Sequence, residues 1–261
     1  MNEQKNIKGL FYMQYLTGYT SSMSRTRNHI YKTWWHVIGA IMIILVPFIF
    51  FLIFSQVAHI SKGVLFSDIF VSLGRIVISF ILAAALGWVL AISFYRGRRS
   101  QIALPIFDVL QSLPTFAVLP TAILIWGPSE FTITFFLILT IIWPIFFSVT
   151  SSMKLIKNEW EEAVDISGIR GFKFIRYFLL PASIPGLITG SIVGIGEGWE
   201  SLIATEIIVN AKTGLGSFFQ SVTGNGQATM FGVLGVLLII FSINKLVWLP
   251  LLEASHKTHD E

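Results

Sequence analysis

The chain has 261 residues, of which 54% are hydrophobic and only 12% are charged. Because soluble domains carry about 25% charged residues, this composition indicates a protein of the lipid bilayer. The net charge of +4 is expected to reflect loops at one membrane face rather than nucleic-acid binding. The absence of cysteine excludes disulfides, thiolate nucleophiles and thiolate metal ligands.

A membrane-spanning helix needs about 20 apolar residues, and the sequence contains about six such stretches. The predicted fold class is therefore an all-α polytopic membrane protein. The predicted organisation is an N-terminal segment at 1–33, a transmembrane region at 34–252 and a tail at 253–261. The glycine-rich connection at 210–229 could hold a short helix or a re-entrant turn. The predicted spans lie at about 34–58, 69–95, 102–126, 131–153, 183–209 and 230–251.

The distribution of Lys and Arg predicts the orientation of these spans. With the N-terminus inside, most of the 18 cationic residues fall in cytoplasmic segments, and only Lys62 and Lys212 fall in the opposite loops. Both termini are then cytoplasmic. Arg75 is expected to extend from its span to the outer headgroups, and Lys245 toward the inner face.

Three prolines, Pro105, Pro114 and Pro120, mark the third predicted span, and the last two are expected to interrupt it. Proline removes a backbone hydrogen bond, and lipid tolerates such breaks only where protein or water satisfies the freed carbonyl. The span is therefore expected to lie against other helices or beside a transport pathway. A structural kink is compatible with both positions.

A charged segment at about 154–180 separates the fourth and fifth predicted spans. Acidic residues cluster at its start and basic residues at its end, as suits a helix dipole, and Gly168 and Gly171 then break the pattern. We predict helix, turn and helix at the cytoplasmic surface. The segment is either a connector floating on lipid or a protein-docking element. Its apolar residues recur at helical spacing: Trp160, Ala163, Val164, Ile166 and Ile169.

The fifth predicted span carries a glycine every four residues, which allows another helix to approach closely. At 100° per residue, Glu197 and Glu200 fall about 20° and about −40° from Gly186, on the glycine-bearing side, and Glu206 falls near 200°. Acids at this depth rarely face lipid. The first two could line a pathway as ligands or a gate, pair with Arg75 or Lys245, or hydrogen-bond between helices. The glycines are Gly186, Gly190, Gly194 and Gly198.

The segment Glu162-Ala163-Val164, followed by Gly168 and then by Leu180-Pro181, resembles the cytoplasmic EAA loop of ABC importer permeases. Val164 departs from the alanine that is usual there. Further stretches are similar to the nitrate, sulfonate, taurine and bicarbonate branch of that family: Ser72 to Arg75, Leu110 to Pro114, Leu119-Pro120, Trp199 to Glu206 and Gly214 to Gly216.

The resemblance implies a type I ABC importer permease-like fold whose cytoplasmic loop forms a coupling helix in a groove of an ATP-binding subunit. It also implies a second permease copy, with a homodimer expected, and an extracytoplasmic solute-binding protein. Membrane lipid surrounds the chain, and no nucleic acid is expected. The implied coupling residues are Glu161, Glu162, Ala163, Asp165, Gly168, Leu180 and Pro181, and the pathway or gate candidates are Glu197, Glu200, Pro114, Pro120 and Glu206.

The expected function is import of a small solute into the cytoplasm of a bacterium or archaeon by alternating access. The sequence contains no Gly-x-x-x-x-Gly-Lys-Ser/Thr loop, so ATP and Mg²⁺ are expected on the partner, and this chain is expected to be neither an enzyme nor a metal or cofactor binder. A stand-alone ion-coupled transporter using Glu197 and Glu200 is the main alternative. An intramembrane enzyme fits least, because no nucleophile and base can be paired.

Overall fold

The computed structural model describes residues 39–56 and 61–257. It divides into two compact units, residues 1–49 and 50–261. Of the first unit only residues 39–49 are described, and they are helical. The predicted N-terminal segment at 1–33 and the end of the predicted tail lie outside the described residues.

The described residues form helices and no strand, which confirms the predicted all-α fold. Within 39–56 and 61–257, five helices are long and apolar enough to cross a membrane, and the number reaches six if one bent pair is a single span. The helices are α1 (Gly39–Gln56), α2 (Lys62–Phe94), α3 (Gly97–Gln111), α4 (Thr115–Trp126), α5 (Glu130–Lys154), α6 (Asn158–Ile166), α7 (Phe172–Val209), α8 (Leu215–Ser221) and α9 (Gly226–Glu253, continuing to Lys257).

The bent pair is α3 and α4, whose axes meet at 81°. The break falls at Pro114, which precedes the first residue of α4 in an extended conformation. Proline disfavours helical geometry in the residue before it, so the third predicted span is interrupted here as expected. Pro120 lies inside α4 and does not end it, so the expected second interruption was wrong. One missing hydrogen bond is tolerated within a membrane helix.

Two of the long helices contain a wide π-helical turn just before a Leu-Pro pair. In α7 this turn covers Ile175–Leu179 and precedes Leu180-Pro181. In α9 it covers Asn244–Trp248 and precedes Leu249-Pro250. Proline cannot donate to the carbonyl four residues back and crowds the preceding turn, and the wider turn accommodates both effects without breaking the helix.

Helices α2, α5 and α7 form the centre of the described fold, with α5 packed between the other two. Fully buried side chains of α5, such as Ile141, Ile145 and Val149, fill the interface, together with Trp199 and Leu202 of α7. The contact between α5 and α7 is nearly backbone to backbone and runs along the predicted glycine stripe.

The glycines of the stripe leave little or no room for a side chain against α5. A Cβ at Gly186 would lie 2.6 Å from the carbonyl oxygen of Ser148, and one at Gly190 would lie 2.6 Å from the Cα of Ile145. The close approach predicted from the spacing is therefore confirmed, and its partner is α5.

The α5–α7 contact predicts that two alanine substitutions in α7 differ in their effect on the free energy of unfolding. Gly190→Ala should lower the free energy of unfolding by about 1–3 kcal/mol, because its new methyl group meets backbone that cannot move aside. Gly196→Ala is the matched control, since nothing lies within 4 Å of a Cβ there. Thermal unfolding of the detergent-solubilised protein measures both, and equal midpoints for the two variants would contradict the packing described.

Candidate functional site

The connection between α5 and α7 presents α6 as an exposed helix, which confirms the predicted helix, turn and helix. Its acids Glu162 and Asp165 are exposed. So are two large apolar side chains, Trp160 at 57% and Ile166 at 87%. A helix that buries so little of itself gains little from its own chain, so its exposed surface is available to a partner.

Two glycines with left-handed backbone form the turn after α6. Gly168 has φ of 73° and Gly171 has φ of 60°, a region that side-chain-bearing residues rarely adopt. The turn is closed by backbone bonds, including one from the Gly168 N–H to the carbonyl of Asp165 at 3.0 Å. Arg170 pairs with the Asp165 carboxylate at 3.0 Å, and both side chains are largely exposed.

A notch of about 430 Å³ lies between α6 and the start of α7. Glu162, Asp165 and Arg170 give it charged walls, and Phe174 gives it an apolar one. The structure therefore brings Glu162, Asp165 and the glycine turn together.

The other predicted coupling residues are more widely spread. Glu161 and Ala163 lie on α6. Leu180, which is 41% exposed, and Pro181 lie within α7, directly after its π-helical turn.

The acids Glu197 and Glu200 are exposed on α7 and lie beside the glycine stripe, not on it. The expectation that they share the glycine-bearing side was wrong. A four-residue repeat turns by about 40° per step on a 3.6-residue helix, so the stripe has rotated by about 120° between Gly186 and Gly198. Near Glu197 and Glu200, the side of α7 that contacts α5 therefore differs from the side on which these two acids lie.

Neither acid forms an ion pair with Arg75 or Lys245 within the described part of the chain, since Arg75 has other partners and Lys245 is exposed. Pro114 and Pro120 are also exposed. These four pathway candidates thus lie on the surface of the single chain.

Arg75 is the centre of a buried polar network at the end of the bundle predicted to face outward. Its Nη1 pairs with Oε1 of Glu206 on α7 at 2.6 Å, and its Nε donates to Oε2 of Glu130, the first residue of α5, at 2.8 Å. The Arg75 and Glu206 side chains are 7% and 0% exposed, whereas that of Glu130 is 69% exposed. One cation therefore joins three helices.

The loop after α7 is attached to the same network through its backbone. The Gly216 N–H donates to Oε2 of Glu206 at 2.7 Å, and the Leu215 N–H donates to Oγ of Ser72 at 2.8 Å. The Ser72 hydroxyl in turn donates to Glu206 at 2.8 Å. The buried carboxylate is thus satisfied by a cation, a hydroxyl and an amide, as a buried charge requires.

Gly214 allows the loop to reach the ion pair. Its φ is 118°, and a Cβ there would lie 2.6 Å from Nη1 of Arg75 and from Oε1 of Glu206. Its N–H donates to the buried carboxylate of Asp68 at 2.8 Å, and the neighbouring carbonyl of Thr213 accepts from Arg75 at 2.8 Å.

This network corrects two sequence-based expectations. Arg75 does not extend to the headgroups, because its guanidinium is bound inside the protein. Glu206 does not lie on a surface of the chain, so it fits a structural role better than a pathway or gate role. The signal was available in the sequence: Asp68, Ser72 and Arg75 recur at spacings of four and three, which place them on one face of a helix.

The fold defines a polytopic helical membrane protein with an exposed helix, α6, between two of its long helices. The family described as "binding-protein-dependent transport system inner membrane component" matches residues 79–249, well over half of the chain. The chain belongs to this family, and its resemblance to ABC importer permeases is confirmed. The match covers α6 and Glu206 and begins after Arg75.

Several relatives are named as permease proteins of import or transport systems. The nitrate import permease protein NrtB of Synechocystis sp. is 30% identical over 152 residues, which cover 58% of this chain and 55% of that protein. The bicarbonate transport system permease protein CmpB of Synechococcus elongatus is 27% identical, over 61% and 57%. The taurine transport system permease protein TauC of Escherichia coli is 29% identical, over 52% and 48%. The chain spans about half the length of these curated relatives.

The network predicts a large and asymmetric effect of charge removal on stability. Arg75→Met should lower the free energy of unfolding by about 3–5 kcal/mol, because it leaves the buried Glu206 carboxylate without its cation. Glu130→Gln should lower it by at most about 1 kcal/mol, because that carboxylate is largely exposed. Unfolding titrations in mixed micelles measure both, and a Glu130 effect as large as that of Arg75 would contradict this geometry.

Proposed function

We propose that this chain is the membrane-spanning subunit of an ATP-driven importer that moves a small solute into the cytoplasm by alternating access. The observation that carries the proposal is α6, an acidic helix exposed between two long helices and closed by a glycine turn. A separate protein that binds such a helix can act on the two membrane helices to which it is connected. The family membership supports the same conclusion.

The packing explains how a movement of α6 would reach the membrane interior. The helix follows α5 and precedes α7, and these two helices contact each other almost through their backbones along the glycine stripe. Because such an interface has no soft side-chain layer, α5 and α7 should move as one body. A displacement of α6 by an ATP-binding subunit would therefore shift the pair together.

The proposal includes the expected partners and orientation. An ATP-binding subunit, which carries ATP and Mg²⁺, docks at α6 on the cytoplasmic side, where both termini also lie. An extracytoplasmic solute-binding protein docks at the opposite end, and a second permease copy completes the pathway. A single chain whose acids and broken span are exposed on its surface needs a second wall to enclose a solute.

Glu197 and Glu200 are proposed to face this pathway. Pro114 and Pro120, in the broken span formed by α3 and α4, are proposed to face it as well. Both carboxylates are exposed on a spanning helix, where contact with lipid would cost free energy, so a polar surrounding is favoured. The names of the relatives concern nitrate, bicarbonate and taurine. Two carboxylates would repel a small anion, so the proposal covers a small solute and does not extend to those substrates.

The coupling role of α6 predicts that two variants uncouple the transporter. Glu162→Lys reverses an exposed charge that lines the notch. Gly168→Leu forces a side chain into left-handed backbone. Both should lower ATP-dependent uptake in proteoliposomes at least tenfold and weaken co-purification of the ATP-binding subunit.

Gly97→Leu is the matched control for the glycine variant. Gly97 has φ of 74° and open space around it, and it lies in another predicted cytoplasmic connection. Normal uptake and normal co-purification in both α6 variants would rule out α6 as the coupling element.

The pathway role of the acids predicts that Glu197→Gln combined with Glu200→Gln changes uptake and solute-stimulated ATP hydrolysis while the protein remains folded. Unchanged values of both would remove the acids from the pathway. The alternative of a stand-alone ion-coupled transporter predicts uptake into vesicles by this chain alone, driven by an ion gradient. We expect no such uptake without the ATP-binding subunit.

A further inference from the structure

A groove of about 240 Å³ lies between α7 and the carboxyl-terminal part of α9, away from the network and from α6. Its walls are apolar, with Ile192 from α7 and Phe241, Leu249 and Leu252 from α9. An apolar groove on spanning helices matches a hydrocarbon chain in size and chemistry.

The polar side chains on this groove are all able to donate hydrogen bonds. Asn244, Lys245 and Trp248 line it, and all three belong to the π-helical turn of α9. Lys245 is exposed and brings a full positive charge. No carboxylate lines the groove. The site is therefore complementary to a negative group.

Trp248 forms a buried and well-packed part of the groove wall. Its side chain is 8% exposed, and its Nε1–H has no hydrogen-bond acceptor among the described residues. Its ring packs edge-on against Phe80 of α2, with centroids 5.6 Å apart, so the indole is held in place. The indole therefore gives the groove a fixed wall, and Lys245 and Asn244 supply the donors that a ligand in the groove can reach.

We propose that this groove binds an anionic phospholipid of the leaflet at the carboxyl end of α9. The phosphate accepts from Lys245 and Asn244, and the upper acyl chain lies along Ile192 and Phe241, toward the bilayer interior. A small hydrated anion would gain nothing from the apolar walls, whereas a phospholipid satisfies both the donors and the walls. On the predicted orientation this leaflet is the cytoplasmic one, which is rich in anionic lipid.

Native mass spectrometry of the full chain tests the proposal. The protein is equilibrated with vesicles of phosphatidylglycerol or of phosphatidylcholine, and the lipids retained on the intact chain are counted. We expect selective retention of phosphatidylglycerol. Lys245→Met should reduce it about fivefold, and Lys245→Arg should restore it.

Lys154→Met is the matched control, because Lys154 is another exposed lysine at the predicted inner end of a spanning helix, outside the groove. Equal retention of both lipids, or equal losses in the Lys154 and Lys245 variants, would overturn the proposal. Displacement of the lipid by millimolar inorganic phosphate would show a small-anion site instead. A change from dimer to monomer in Lys245→Met would show that a second copy occupies the groove.

Discussion

The architecture depends on the backbone contact between α5 and α7. In a membrane, helices gain nothing from burying apolar surface that lipid would cover equally well, so association depends on close packing. Gly186 and Gly190 bring α7 against the main chain of Ser148 and Ile145, where dispersion contacts are most numerous. Helix α2 then covers the other side of α5, and α6 joins the two packed helices at one end.

The buried network fixes how the helices are positioned along one another, which non-directional apolar packing cannot do. Arg75 needs Glu206 on α7 and Glu130 on α5 at hydrogen-bond distance, and this fixes the height of three helices relative to one another. Gly214 brings the loop between α7 and α8 against the same ion pair. The two ends of the bundle therefore differ. One is held together by the ion pairs and hydrogen bonds of Arg75, and the other carries the exposed helix α6.

Features that follow a local pattern were predictable from the sequence. The apolar stretches, the helix and turn around Gly168, the break at Pro114 and the glycine stripe depend on residues close together in the chain. The partners of Arg75, by contrast, lie 55 and 131 residues away in the sequence. Its charge and its position near the end of a span therefore led to the wrong expectation that it extends to the lipid headgroups. The predicted side of Glu197 was wrong because glycines four residues apart shift around a helix that has 3.6 residues per turn. One reference glycine therefore does not define the face of the whole stripe.

The two π-helical turns change the direction in which the neighbouring side chains of α7 and α9 point. Ile175–Leu179 and Asn244–Trp248 lie near the ends of α7 and α9 that are predicted to be inside. A wide turn has a less regular hydrogen-bond ladder and changes the rotational phase of the residues on either side. In α7 the turn lies between α6 and the glycine contact with α5, so the first residues of this helix face other directions than they would in an uninterrupted α-helix. The same holds for the residues of α9 that follow its turn.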